Sequence, residues 1–189
     1  HYLAQLSDDK DMMVQRSIVS AQSFVSNVVQ GEEMKAAWGH YVRTHHGPLL
    51  ERIGREASDG EDPETANLRA TLMASLLDDG EDPELQAELD AMAQAFLEAP
   101  ISVPNEMASM ALRSFAERAE PELQAEWIER MKSTDNPIHR GIYASAIGHF
   151  PSPEAQEVAI ELAMSEEVAT REMWALLSGA LAEEEEADT

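Results

Sequence analysis

Apolar residues recur along this chain at intervals of three and four, the period of one face of a helix. After Pro63, Leu68, Leu72 and Leu76 fall on one stripe. After Pro83, Leu85, Leu89, Met92 and Phe96 do the same at i, i+4, i+7 and i+11. The spacing returns with Met107, Ala111 and Phe115, then with Leu123, Trp127 and Met131, then with Ile142, Ala146 and Phe150. Val158 and Leu162 follow PSPEAQE at 151–157, and Met173, Leu176, Leu177 and Leu181 mark a last segment near 167–182. Upstream, Val14, Ile18, Ala21, Val25 and Val28 share a stripe between Asp8 and Gln30, and Gly31 stops it. A further helical stretch is expected around 33–56, broken near Gly47–Pro48. No strand-like alternation competes, so the pattern predicts about nine helices joined by short loops.

The punctuation between stripes has its own pattern. DGEDPE occupies residues 59–64 and again 79–84. Asp62 and Asp82 suit the N-cap position, where a carboxylate accepts from backbone N–H groups one turn in. Pro63 and Pro83 suit the first helical position, where a missing donor costs nothing. Glu64 and Glu84 place negative charge at the positive end of the helix dipole. Gly60 and Gly80 suit a tight turn. The hexapeptide is therefore expected to be a junction between helices, used twice. Stacked antiparallel pairs of such helices make an all-α, HEAT- or armadillo-like α-solenoid. The helix-opening prolines (63, 83, 121, 153) are irregularly spaced, and a compact irregular bundle is the other arrangement that this spacing admits. No internal boundary is visible, so residues 1–182 are expected to form one helical domain, with an acidic tail at 183–189.

Composition narrows the chemistry. The chain has 189 residues, 43% of them hydrophobic, too many for a disordered polypeptide. It contains no cysteine, which excludes disulfides, zinc ribbons and thiol catalysis. No stretch approaches a membrane span. The first residue is His1 rather than Met, as expected for a processed, tagged or excised piece. Thirty-seven acidic residues against thirteen basic ones give a formal charge of −24. Such a surface repels phosphate backbones, which argues against nucleic acid, and attracts cationic groups weakly and in a salt-dependent way.

Each candidate site chemistry needs its own residue spacing. A calcium-binding EF-hand loop requires oxygen ligands at alternate positions and a closing bidentate Glu. Neither hexapeptide continues so, because apolar helix follows at once. His40, His45 and His46 lie in WGHYVRTHHGP, where the first interval is five and no carboxylate stands between, unlike a zinc-binding H-E-x-x-H. They are expected to be surface or helix-end histidines. There is no G-x-S-x-G elbow and no glycine-rich phosphate loop. No catalytic and no metal-binding residue is assigned.

Two longer stretches carry a resemblance. LLERIGREASDGEDPETANLRATLMASLLDDGEDPELQAELDAMAQAFL (49–97) has Ile53–Gly54 before an acidic turn, Leu68–Arg69 in the next helix, and an Ala-rich helix ending in Phe–Leu. EWIERMKSTDNPIHRGIYASAIGHFPSPEAQEVAIELAM (126–164) adds an Arg-containing helix and a G-x-F turn. With WGHYVRTHHGPLLERIG upstream, these resemble the C-terminal helical domain of aminopeptidase-N-like zinc metallopeptidases of the puromycin-sensitive and endoplasmic-reticulum type. The resemblance implies a C-terminal portion that caps the active-site cavity of its own catalytic domain and contacts the distal part of peptide substrates. Zinc would then belong to that catalytic domain, since neither G-A-M-E-N nor H-E-x-x-H occurs here. Arg69, Arg140 and Tyr143 sit in the resembling segments as candidate peptide contacts, the arginines being able to fork onto a carboxylate. The same arginines are also suited to pairing with neighbouring acids. Two other readings stand beside this one: a free-standing helical-repeat module that binds a partner protein, and a calcium-responsive acidic protein.

Overall fold

A computed structural model describes residues 11–180, Asn27 and Asp59 excepted. Among the described residues the chain is all helical, with no strand. The helices are α1 (Met12–Ser26), α2 (Glu32–Ile53), α3 (Pro63–Asp78), α4 (Pro83–Glu98), α5 (Asn105–Ala116), α6 (Glu122–Ser133), α7 (Pro137–Ile147), α8 (Pro153–Ala163) and α9 (Thr170–Ala180). A 3-10 turn spans Pro100–Ser102. Leu181, Asp59 and the acidic tail, which figure in the sequence reading, lie outside the described residues.

Proline opens α3, α4, α7 and α8, as the first-turn preference requires. The two DGEDPE copies nevertheless fold differently. Asp82 Oδ1 accepts from the N–H groups of Glu84 and Leu85, each at 3.0 Å. Asp62 occupies the N-cap position of α3 but accepts no side-chain capping bond. In the first copy Gly60 takes the left-handed conformation (φ +76°), whereas in the second Glu81 does (φ +45°). Connector length explains the difference. Only four residues separate α3 from α4, and a Cβ on Gly80 would lie 2.6 Å from the Leu76 carbonyl oxygen. The first copy ends a longer connector whose Glu61 is drawn away to Arg69.

Helix α2 is not broken at Gly47–Pro48; Pro48 lies inside it. An interior proline costs a helix about 3 kcal/mol. Here Val42 and His46 before it and Leu50 after it are all buried, so packing on both sides holds the helix through the missing bond.

The chain divides into two compact units, His1–Gln86 and Ala87–Thr189. In the first, α3 packs against both α1 and α2. Leu68, Leu72 and Leu76 are buried as their stripe predicts. The inward face of α1 differs from expectation: Gln15, Ile18, Val19 and Gln22 are buried, while Val25 and Val28 are exposed. Gln22 is held inside by hydrogen bonds to α2, which rotates the helix away from its valine stripe.

In the second unit α7 is central, touching α5, α6 and α9. Its alanines permit close approach: Ala144 and Ala146 are fully buried. The Trp127 ring meets Phe150 edge-on at 5.3 Å, and Phe96 meets Tyr143 at 5.5 Å. Helix α8 buries Ala155, Ala159 and Leu162 and leaves Val158 exposed. Where α9 crosses the end of α7, Gly179 lies against Gly148 so closely that a Cβ on Gly179 would sit 2.6 Å from the Gly148 carbonyl carbon. Gly179→Ala is therefore expected to lower the stability of this unit by about 1–3 kcal/mol. Gly141→Ala, where the nearest atom is 4.0 Å away within α7, should instead raise it by up to about 1 kcal/mol. Chemical denaturation of the two variants checks the contrast.

Candidate functional site

A helix leaves its last carbonyls unpartnered and carries partial negative charge there. In this acidic chain, several of those ends receive a long side-chain donor from another helix. Arg69 of α3 donates through Nε to the Gly54 carbonyl at the end of α2, at 2.7 Å. Arg43 of α2 donates to the Gly80 carbonyl just beyond α3. Arg130 of α6 reaches Leu97 O in the last turn of α4, at 2.6 Å. Arg140 of α7 reaches Met131 O in the last turn of α6, at 3.1 Å. Gln124 of α6 donates to Ile147 O at the end of α7 (3.2 Å) and to Ala155 O of α8 (2.7 Å).

Two of these arginines were the candidate peptide contacts. Arg69 is buried, 3% exposed, and both its terminal nitrogens fork onto the Glu61 carboxylate. It thereby closes the connector from Gly54 to Glu61 onto α3. Arg140 forks onto Glu172 at 2.6 and 2.8 Å. Glu172 also accepts from the Ala169 N–H at 3.0 Å, which fixes the start of α9. These bonds to cations hold the Glu61 and Glu172 carboxyls below their ordinary range, against the opposing effect of burial. Tyr143, the third candidate, lies one turn after Arg140 on α7 and is buried against Phe96. Burial pushes its phenol up, and the neighbouring Arg130 guanidinium pulls it partly back. Arg140 and Tyr143 thus share a helix in the second unit, while Arg69 belongs to the first.

His46 is neither a surface nor a helix-end histidine. It is 2% exposed in the middle of α2. Its place four residues from both Val42 and Leu50, on the buried stripe, is the sequence signal that reveals this. Nε2 lies 2.8 Å from Gln22 Oε1, and Nδ1 lies 3.0 Å from Ser75 Oγ. Gln22 Nε2 donates to the Tyr41 hydroxyl at 2.8 Å. The Gln22 amide oxygen can only accept, so Nε2 carries the proton and Nδ1 accepts from Ser75. Ser75 Oγ also stands 3.5 Å from Asp79 Oδ2. Protonating Nδ1 would turn the Ser75 hydroxyl towards Asp79.

Asp79 borders a cleft of about 420 Å³ in the first unit. Its wall includes Glu32, Lys35, Trp38, Arg43 and Glu81, groups of both signs around one aromatic face. Gly39 lets α2 approach the α3–α4 turn: a Cβ there would be 3.0 Å from the Asp79 carbonyl oxygen. Trp38 stacks on Tyr41 at 5.2 Å, and Tyr41 on His45 at 4.1 Å. Among the described residues no three His, Asp or Glu side chains are grouped to hold a metal ion. No described helix is long and apolar enough to cross a membrane.

The family model described as "ERAP1-like C-terminal domain" matches residues 2–189. A comparison with curated proteins gives no match.

The buried histidine sets a pH dependence. Burial lowers its pKa from 6.5 to about 4, and the His45 charge adds to the lowering while Asp79 opposes it. Between those values the unfolded chain binds more protons than the folded one. The His46 contribution is therefore complete above pH 6.5 and is lost as pH falls towards 4. A shift of this size corresponds to about 3 kcal/mol. Glu61 and Glu172, whose pKa values are lowered, lose their contributions only below the ordinary carboxylate value of 4.5. Urea midpoints measured from pH 6.5 to 5 should fall steadily for the native chain and stay nearly flat for His46→Gln.

Proposed function

This chain belongs to the ERAP1-like C-terminal domain family, and on that footing we propose that it is the substrate-cavity domain of a zinc aminopeptidase. In this reading residues 1–182 act as one HEAT-like helical domain that caps the active-site cavity, and residues 183–189 are a solvated tail. The domain contacts the distal part of a bound peptide, while the zinc and the catalytic groups belong to the peptidase domain of the same polypeptide. The observation that carries the reading is the family match along residues 2–189. The all-helical fold of the described residues supports it. The formal charge of −24 favours cationic peptides over acidic ones.

Arg69, Arg140 and Tyr143 enter this proposal as parts of the wall. The two guanidinium groups already face Glu61 and Glu172. A peptide carboxylate would have to displace one of those carboxylates, so the observed forks favour support of the wall over direct grip.

The proposal is tested in the natural polypeptide. The coding sequence upstream of residue 1 should contain H-E-x-x-H within several hundred codons; its absence rejects the peptidase assignment. A peptide carrying a photo-crosslinker at its carboxyl end should attach within residues 1–189 of the full-length protein. Attachment confined to the catalytic portion rejects the capping role.

A further inference from the structure

Glu32, Ala36, Gly39 and Arg43 follow one another along α2 at intervals of four, three and four, one stripe of the helix. All four line the cleft of about 420 Å³ in the first unit. The two residues at mid-stripe are the smallest available, and they leave the room that larger side chains would fill. At Gly39 the floor is backbone: an added Cβ would stand 3.0 Å from the Asp79 carbonyl oxygen and 3.6 Å from that of Gly80. The volume falls at the small end of the range for small-molecule sites, about 300–1,000 Å³.

The facing side comes from the turn between α3 and α4, the second copy of DGEDPE. Asp78, Asp79 and Glu81 line it, and α3 ends there, so the negative end of its dipole adds to three carboxylates. Glu32 supplies a fourth. Against them stand Lys35 and Arg43, and Arg43 is already engaged at the Gly80 carbonyl. Trp38 adds an aromatic surface, its indole stacked on Tyr41 with the planes 12° apart. Carboxylates, a helix carboxyl end and an aromatic face all stabilise a positive charge. A metal ion is a poor match. Among the described residues no three His, Asp or Glu side chains are grouped to hold one, and the hollow far exceeds even a water's share of about 30 Å³. The first copy of the hexapeptide has no such role, because its Glu61 is tied to Arg69.

We propose that this cleft binds an organic cation: a primary ammonium or guanidinium group on a short carbon chain. The chain lies against Trp38 and Ala36, and the charge points to the α3–α4 turn. The assignment uses the first unit alone and stands apart from the peptidase reading. Lys35 opposes such a guest, which gives the test its sign.

Isothermal titration calorimetry of the 189-residue chain with agmatine, which carries both groups, is the test. One saturable site is expected. Asp78→Asn combined with Glu81→Gln should weaken it about fivefold or more, and Trp38→Leu about threefold or more. Glu157→Gln combined with Glu161→Gln removes the same charge from exposed positions of α8 and should leave the affinity within about twofold. Lys35→Gln should tighten binding about two- to threefold. That position is exposed, so this arm does not depend on Trp38, whose stacking also serves the fold. With binding established, spermidine and N-acetyl-arginine amide separate the sources: tighter spermidine identifies a free polyamine, and tighter arginine amide the basic side chain of a peptide. Absence of a saturable site overturns the proposal. Equal weakening by the two charge-removing pairs also overturns it, since that marks diffuse attraction to an acidic surface. Weaker binding after Lys35→Gln, or binding of glutarate in place of agmatine, assigns the cleft to an anion and rejects the cation.

Discussion

The carboxyl ends of helices are negative, and this chain has few positive charges to answer them. It folds by placing long donors from one helix on the last carbonyls of another. Arg69 and Arg43 do this in the first unit, and Arg130, Arg140 and Gln124 in the second. Each donor does two things. It satisfies a carbonyl that its own helix leaves bare, and it fixes one helix end relative to the side of a neighbour. Where a carboxylate joins, as Glu61 and Glu172 do, the same guanidinium also ties down a connector or a helix start.

Within each unit these contacts fix helix ends against their neighbours. Helices pinned at their ends hold a fixed outline, and the acidic side chains left outside set its electrostatic character. The cleft beside Trp38 lies between α2 and the turn after α3, at the place where Arg43 binds Gly80 O. In the same unit the neutral His46 connects α1, α2 and α3 through Gln22 and Ser75.

Local chemistry was legible in the sequence; tertiary chemistry was less so. The order and period of the helices follow from proline starts and apolar spacing, and both are short-range effects. The interior of α3, with Leu68, Leu72 and Leu76, was readable for the same reason. Three features depend on packing or connector length rather than on helical period. Pro48 sits within α2 because packing on both sides outweighs its broken bond. The inward face of α1 is set by Gln22 meeting His46 rather than by its valines. The two DGEDPE copies diverge because one closes a four-residue turn and the other surrenders its glutamate to Arg69. Among the candidate contacts, the sequence also suggested pairing of Arg69 and Arg140 with nearby acids, yet their reach to helix-end carbonyls had no local signature.

Gln124 isolates the capping principle from charge, since its amide is neutral, 4% exposed, and donates to the Ile147 carbonyl at the end of α7 while also reaching the Ala155 carbonyl in the first turn of α8. Equilibrium denaturation of Gln124→Met, which keeps the length of the side chain and removes both donors, is the most direct measurement. Loss of about 1–3 kcal/mol, with an unchanged dependence on denaturant, is the result expected for the buried Ile147 carbonyl left bare. A loss below about 0.5 kcal/mol, the scale of an ordinary surface change, would contradict the idea that side-chain donors at helix ends hold this fold together.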